Sequence, residues 1–521
     1  MKNIDREMER GGEWHHLPFS RFFLPYHFSP PPTELSMERI GVPDKMPRVL
    51  LLSPEVYPLA KVGGLADVAY ALPKALRKLG CDIRIAMPKY EWIKGKEKLG
   101  DIYVPFRGHE KTSVELTSVD GVPVYLLGSK FFLGETIYEV VDKKKEVIKF
   151  SFYSRSVIEL LKNLDFKPEV IHCNDWHNAL VPVYLSLFKD ENPEFMKIAT
   201  VFTIHNLLHQ GTRSVDRSLT LEDLGLSEEA SHILEGGQVN PMKGGILYSD
   251  IVNTVSETYA KEIRTKEYGC GLDPYLRKRK IYGIVNGIDY DVWDPSKDRF
   301  IYEKYSADHL GRKLENKRSL LKEVDLPADL AKPLLGMVCR LATQKGLDLV
   351  GDALPKFLSK KKLTFILLGM GKPEYHKIFE EISKRFRNIK AFFRFDEKLA
   401  HRIYAGSDIF LVPSRFEPCG LSQLICLKYG TIPIVRKTGG LADTIIDFDE
   451  SEERGNGFVF SKPTSAALEY ALRRALATFE TKELWVKLMK RAMSADYSWE
   501  SSARKYLELY RKALEKVAKA S

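Results

Sequence analysis

The chain has 521 residues, 44% hydrophobic and 29% charged, a globular balance in a length that exceeds one core and suits two. No run of 18 or more uncharged apolar residues and no apolar leader with basic flanks occurs, so membrane spanning and export are not expected and a cytoplasmic protein is. Lys plus Arg number 80 against 70 Asp plus Glu, and this net +10 is spread along the chain without an aromatic-interleaved basic cluster, which speaks for small anionic ligands and against nucleic acid.

Residues 1–46 hold Pro30, Pro31 and Pro32 among His and aromatics and read as an N-terminal extension. Val49–Leu52 then reads as a buried parallel strand. The octapeptide Lys61-Val62-Gly63-Gly64-Leu65-Ala66-Asp67-Val68 follows and opens a helix with apolar positions at Leu65, Val68, Leu72, Leu76 and Leu79, kinked at Pro73 and closed by Gly80. Strand, glycine loop and helix together aim free backbone N–H groups at a phosphate.

Further apolar strands are expected at Ile83–Met87, Val122–Leu127, Val170–His172, Thr200–Ile204, Ile251–Val255 and Ile281–Val285, alternating with amphipathic helices. That alternation implies a doubly wound parallel sheet over residues 47–293. Residues 294–330 are charged and Pro-punctuated and read as a linking region with a helix near Leu310–Lys322. A second alternating block, 331–498, has strands at Leu334–Val338, Leu363–Leu368, Ile389–Phe393, Ile409–Val412 and Ile432–Val435. After the last of these, Lys437-Thr438-Gly439-Gly440-Leu441-Ala442-Asp443-Thr444 repeats the first octapeptide at six of eight positions. Residues 499–521 form a final helix whose apolar face must pack on something.

The six cysteines show no ligand or CxxC spacing; Cys419 and Cys426 stand seven apart, so reduced thiols and no metal site are expected. The chemistry is sought beyond strand ends, where open parallel sheets bind ligands. Val338 leads to Arg340 and Lys345, a rigid donor fork and a mobile point charge suited to a diphosphate leaving group. Val412 leads to Glu417, a carboxylate where a packing residue would be ordinary. Asp175 and His205 follow two strands of the first block and are candidates for the same pocket. No GxGxxG follows a strand with an acid about 20 positions on, which disfavours a dinucleotide oxidoreductase.

Seven motifs in order resemble one family. They are Lys61–Val68; His172-Cys173-Asn174-Asp175-Trp176-His177; Thr203-Ile204-His205-Asn206; Asn286-Gly287-Ile288-Asp289; Arg340 with Lys345-Gly346; Glu417-Pro418-Cys419-Gly420-Leu421; and Thr438-Gly439-Gly440-Leu441. From about Arg48 to about Leu509 the chain resembles the glycogen and starch synthases of glycosyltransferase family 5.

The resemblance implies a GT-B fold, two Rossmann-like domains facing a deep cleft, with the last helix crossing back to the first domain. It implies a retaining hexosyltransferase that moves glucose from ADP-glucose, with UDP-glucose as the alternative donor, to the non-reducing end of glycogen or another α-1,4-glucan, without cofactor or metal. By the resemblance, Arg340 and Lys345 stabilise the departing phosphates. Glu417 holds the glucosyl hydroxyls beside the Cys419, Gly420 and Leu421 backbone. His205 and Asn286 contact the sugar, and Asp175 lines the acceptor side. Lys61, Gly63 and Gly64 meet the diphosphate and acceptor side, and Gly439 and Gly440 give amides to the distal phosphate. Phe395 stands where the family has an adenine-side aromatic; Asp67, Asn206 and Thr438 complete the substrate-binding set. Two departures are visible: Ile425 occupies the position of a second glutamate found in many retaining transferases, and His209 replaces a common Tyr before Gln210-Gly211.

Overall fold

Parallel strands covered on both faces must be apolar throughout, and the runs singled out above are. In the computed structural model, which describes residues 46–139, 142–211, 219–451 and 453–520, Val49, Leu50, Leu51 and Leu52 are all fully buried. The extension over residues 1–46 lies outside the described residues except for Met46.

The first half contains β1 (Arg48–Leu52), β2 (Asp82–Pro88), β3 (Glu97–Pro105), β4 (His109–Val119), β5 (Val122–Gly128), β6 (Val170–Asn174), β7 (Ala199–Ile204), the small hairpin β8 (Leu234–Glu235) and β9 (Gln238–Val239), β10 (Ile251–Thr254) and β11 (Ile281–Gly283). Nine of these form one sheet in the order β11-β10-β7-β6-β1-β2-β5-β4-β3. It is parallel from β11 to β5, but β3 and β4 add an antiparallel edge. An all-parallel sheet is thus corrected to a mixed one. Glu97–Pro105 alternates exposed polar and buried apolar positions only weakly, as a one-sided edge strand does, and presents no apolar run.

The second half contains β12 (Leu334–Val338), β13 (Thr364–Leu368), β14 (Ile389–Phe392), β15 (Ile409–Val412), β16 (Ile432–Arg436) and β17 (Phe458–Phe460). Their order is β14-β13-β12-β15-β16-β17, parallel throughout. Each sheet has a switch point where the chain reverses its direction of travel: between β1 and β6 in the first, between β12 and β15 in the second. Loops that leave adjacent strands in opposite directions open a crevice there.

The helix Gly64–Lys78 runs unbroken through Pro73, buries Val68, Leu72 and Leu76, and carries Asp67 in its first turn and Arg77 and Lys78 in its last, the charge order its dipole favours. The stretch read as a link is built into the second core: Ile301, Tyr305, Leu320, Leu321 and Val324 are buried there, and its helix is Lys313–Glu323. The final helix, Trp499–Ala520, returns to the first core and buries Tyr506, Leu507, Tyr510 and Ala513 in it. Tyr510 Oη lies 2.9 Å from His172 Nδ1, and Ser502 Oγ donates to the Val285 carbonyl at 2.7 Å. Two chain crossings join the halves, tied where Ile288 N–H donates to the Tyr497 carbonyl at 2.9 Å. Among the described residues, no helix is long and apolar enough to cross a membrane.

Because Tyr510 anchors the last helix to the first core, Tyr510→Ala is expected to cost about 3–5 kcal/mol and Tyr510→Phe only about 1 kcal/mol, read as urea midpoints. Equal losses would place the helix's hold in the hydroxyl alone.

Candidate active site

The loops after β1, β6, β7, β12 and β15 surround a cavity of about 640 Å³ between the two halves. That lies within the range of small-ligand pockets. The first half contributes Gly63, Gly64, Asp175, His205, Asn206 and Asn286; the second contributes Arg340, Lys345, Glu417, Cys419, Gly420 and Leu421. A larger hollow of about 1440 Å³, lined by lysines and apolar side chains of the second half, contains none of the residues singled out from the sequence.

On the second side, Arg340 and Lys345 follow β12 directly, and Gly346 (φ 65°) lets that loop turn against the next: a side chain there would collide with the Pro413 carbonyl oxygen. This brings Lys345 Nζ to 2.6 Å from Glu417 Oε2, which also accepts from Ser414 Oγ at 2.8 Å. The pair is mostly buried, so each charge is the other's principal neutraliser in the absence of ligand.

On the first side, Asp175 leaves β6 with φ 54°, a strained geometry for a residue with a side chain, of the kind concentrated at functional sites. Its Oδ1 accepts the backbone N–H of His205 at 2.7 Å and of Asn206 at 3.4 Å. Burial outweighs these bonds and pushes the Asp175 carboxyl up to about 7. His205 is neutral, pulled down to about 3 by burial. Its Nε2 lies 2.9 Å from Asn174 Oδ1, whose amide nitrogen donates to the Leu52 carbonyl, so Nε2 carries the hydrogen and Nδ1 is an acceptor. Asn286 Oδ1 and His177 Nδ1 are buried on the cavity wall and have no hydrogen-bond partner among the described residues, the condition of groups that await a ligand. The two sides also touch directly: the Asn286 backbone N–H points at the Cys419 sulfur. A Cβ on Gly64 would stand 4.0 Å from Leu421 Cδ1.

Four groups of expected site residues are placed otherwise. Lys61 is absent from the wall; its Nζ is 2.7 Å from Asp67 Oδ1 and 5.2 Å above the Tyr57 ring. Gly63 N–H, with Val62 N–H, is already accepted by Glu55 Oε2 at 3.1 and 2.5 Å. Thr438, Gly439 and Gly440 are buried off the wall: Gly439 N–H goes to the Glu262 carboxylate, and Gly440 N–H to the backbone carbonyls of Glu417 and Pro418. Those two amides thus have protein partners in the structure. Phe395, 82% exposed, stands on the loop after β14, off the wall.

The wall also holds residues that sequence reasoning did not single out, among them Glu55 and Tyr138. Glu55 had a signal, an acid three residues past a buried strand; Tyr138, whose hydroxyl donates to Glu55 Oε1 at 3.1 Å, lies in irregular chain and had none. Among the described residues, no three His, Cys, Asp or Glu side chains converge as metal ligands.

The comparisons with known proteins bear on this geometry. Residues 48–278 match the family model described as the starch synthase catalytic domain, and residues 321–491 the one described as glycosyl transferases group 1. A glycogen synthase of Moorella thermoacetica is 46% identical over 90% of this chain and 97% of its own length; one of Thermotoga maritima is 42% identical over 91% and 100%.

This chain belongs to the glycogen synthase family.

Among solved structures, the catalytic domain of starch synthase IV from Arabidopsis thaliana, bound to ADP and acarbose, matches with a TM-score of 0.81 at 37% identity, over 90% of this chain and 100% of that one. A sucrose-phosphate synthase from Thermosynechococcus elongatus shares the fold at 18% identity and a TM-score of 0.56. The glycogen synthase family member described here therefore has the GT-B fold and is a hexosyltransferase.

Because Asp175 is harder to ionise in the folded chain than in the unfolded one, its contribution to stability is complete below about pH 4 and is lost as pH rises through about 7. Asp175→Asn lacks this loss. The melting temperature of the variant should gain on that of the parent between pH 5 and pH 8; a constant difference would refute the buried, protonated carboxyl.

Proposed function

We propose that the protein transfers glucose from ADP-glucose to the non-reducing end of an α-1,4-glucan such as glycogen, with retained configuration and without a metal. The observation that carries the reading is the Arg340, Lys345 and Glu417 cluster facing Asp175, His205 and Asn286 across one cavity. The starch synthase IV domain that this chain resembles was solved with ADP and acarbose, which supports a nucleotide diphosphate on one side of that cavity and a glucan on the other. The two halves divide the work, the first carrying the acceptor and the second the nucleotide sugar.

In this reading Arg340 and Lys345 bind the diphosphate and neutralise it as it leaves, the contribution that a magnesium ion makes elsewhere. Lys345 must then exchange Glu417 for phosphate. Glu417, freed of its partner, accepts hydrogen bonds from the glucosyl hydroxyls and offsets positive charge building on the ring. His205 accepts a sugar hydroxyl through Nδ1, and the unpartnered Asn286 Oδ1 accepts another. Asp175 and Asn206 border the glucan, and attack proceeds on the face the phosphate leaves, with that phosphate taking the acceptor proton. Lys61, held by Asp67 off the cavity wall, turns to the donor when the ligand is in place, and Phe395 covers the adenine. A phenyl ring there stacks on any base, so the preference for ADP-glucose over UDP-glucose is read from the family rather than from that side chain.

The test is incorporation of labelled glucose from ADP-glucose and UDP-glucose, with and without glycogen primer and chelator. Primer-dependent transfer from ADP-glucose, unaffected by chelator, is the expected result. Glu417→Ala and Lys345→Ala should each lose about two orders of magnitude or more in kcat; parental rates in either would remove these residues from the site.

A further inference from the structure

The second glycine loop is gripped from both sides. The helix Gly439–Thr444 of the second half begins at Thr438, and the helix Glu257–Glu262 of the first half begins at Ser256. Each helix start is capped by an acid of the other helix. Glu262 accepts Gly439 N–H at 3.1 Å on both oxygens and Thr438 Oγ1 at 3.0 Å. Asp443 accepts Thr258 N–H at 3.0 and 3.2 Å and Thr258 Oγ1 at 2.5 Å. Among the described residues, Glu262 thus completes a helix N-terminus without a side-chain cap of its own, and Asp443 adds to one where Ser256 Oγ already accepts Tyr259 N–H at 2.9 Å. Burial raises the pKa of Glu262, and the Gly439 and Thr438 bonds oppose that rise.

This grip reaches the Glu417 backbone through Gly439 and Gly440. Gly440 N–H donates to the carbonyls of Glu417 and Pro418, each at 3.1 Å. Gly439 (φ 44°) is packed so tightly on the Glu417 carbonyl that any side chain would collide with it. A parallel route runs through Arg436, whose Nε donates to the Ser414 carbonyl at 2.9 Å, with Nη2 bonded to the Arg415 carbonyl and 3.3 Å from Tyr268 Oη of the first half. Neither Glu262 nor Asp443 borders the cavity. The first glycine loop makes an informative contrast: its amides are also held by an acid, Glu55, but one from the same half.

We propose that Glu262 and Asp443 are positioning residues for glucosyl transfer: their reciprocal caps fix the spacing of the two halves and, through Gly440, set Glu417 opposite the first half's wall. The activity arm of this proposal rests on the function proposed above; the geometric arm does not. Domain closure completes a catalytic constellation, so loosening it lowers turnover, while the proposed diphosphate contacts of Arg340 and Lys345 lie within the second half.

Four full-chain variants, Glu262→Ala, Glu262→Gln, Asp443→Ala and Asp443→Asn, test it by small-angle scattering with ADP present, by ADP calorimetry and by kcat and KM for ADP-glucose. The Ala variants should show a larger radius of gyration, ADP affinity within about twofold of the parent, and kcat lowered about tenfold or more. Gln and Asn keep an acceptor oxygen and should stay within about threefold of the parental kcat. Circular dichroism checks folding; should either Ala variant fail to fold, Thr258→Val, which loses only the hydroxyl bond to Asp443, carries the same comparison at smaller amplitude. Parental scattering and kcat in the Ala variants would overturn the proposal. So would tighter ADP binding by Glu262→Ala, since Glu262 would then be a competitor for a phosphate cradle. Scattering and calorimetry decide even if the parent proves to use another sugar or acceptor, so the two readings fail separately.

Discussion

The Lys345–Glu417 pair is the constraint around which the cleft is built. Its charges come from loops after β12 and β15, the neighbours at the second sheet's switch point, and only a glycine at 346 lets those loops approach closely enough for a 2.6 Å contact. A buried pair of this kind is poor evidence for stability, because desolvating two ions offsets much of what their attraction returns. It is better understood as a resting arrangement. Each partner is the natural complement of one part of a nucleotide sugar, the cation of the diphosphate and the anion of a sugar ring that becomes positive during transfer. In the proposed function, ligand binding would replace one set of charge contacts by another, without leaving either group alone in a low-dielectric cavity.

The remainder of the structure secures the two loops and brings the first half to face them. Ser414 holds the same carboxylate oxygen as Lys345, Gly440 holds the Glu417 carbonyl, and Arg436 holds the carbonyls of Ser414 and Arg415. The first half supplies a buried acid at Asp175 and a neutral imidazole at His205, both set by burial. The final helix ties the end of the second half to the first core, so the cleft is bounded by a chain that crosses it twice. Two near-identical glycine loops serve unlike purposes within this frame. One borders the cavity; the other is a brace behind the Glu417 backbone.

Most of the parallel strands were legible because burial on both faces leaves no choice but apolar runs. Leu334–Val338 and Ile409–Val412 emerge with the very bounds that the apolar runs have. The edge strands Glu97–Pro105 and His109–Val119 were not, since one face is wet and their polar residues mask the alternation. Phe458–Phe460 is too short to show a period. The cavity's second-half residues were legible by position, each just past a strand end. What could not be read is which acid meets which amide: Glu262 and Gly439 are 177 residues apart, and their contact depends on how two folded halves meet. The resemblance assigns Gly439 an amide for phosphate, and only the tertiary structure shows that the Glu262 carboxylate reaches it.

The proposed function requires that Lys345 exchange Glu417 for the donor's phosphate. Calorimetric titration of ADP into the Glu417→Ala variant tests it most directly. Removing the carboxylate frees Lys345 and takes a negative charge away from the phosphates, so ADP should bind several-fold more tightly than to the parent, while Lys345→Ala binds it more weakly. Glu417→Ala binding ADP as weakly as Lys345→Ala would contradict the exchange.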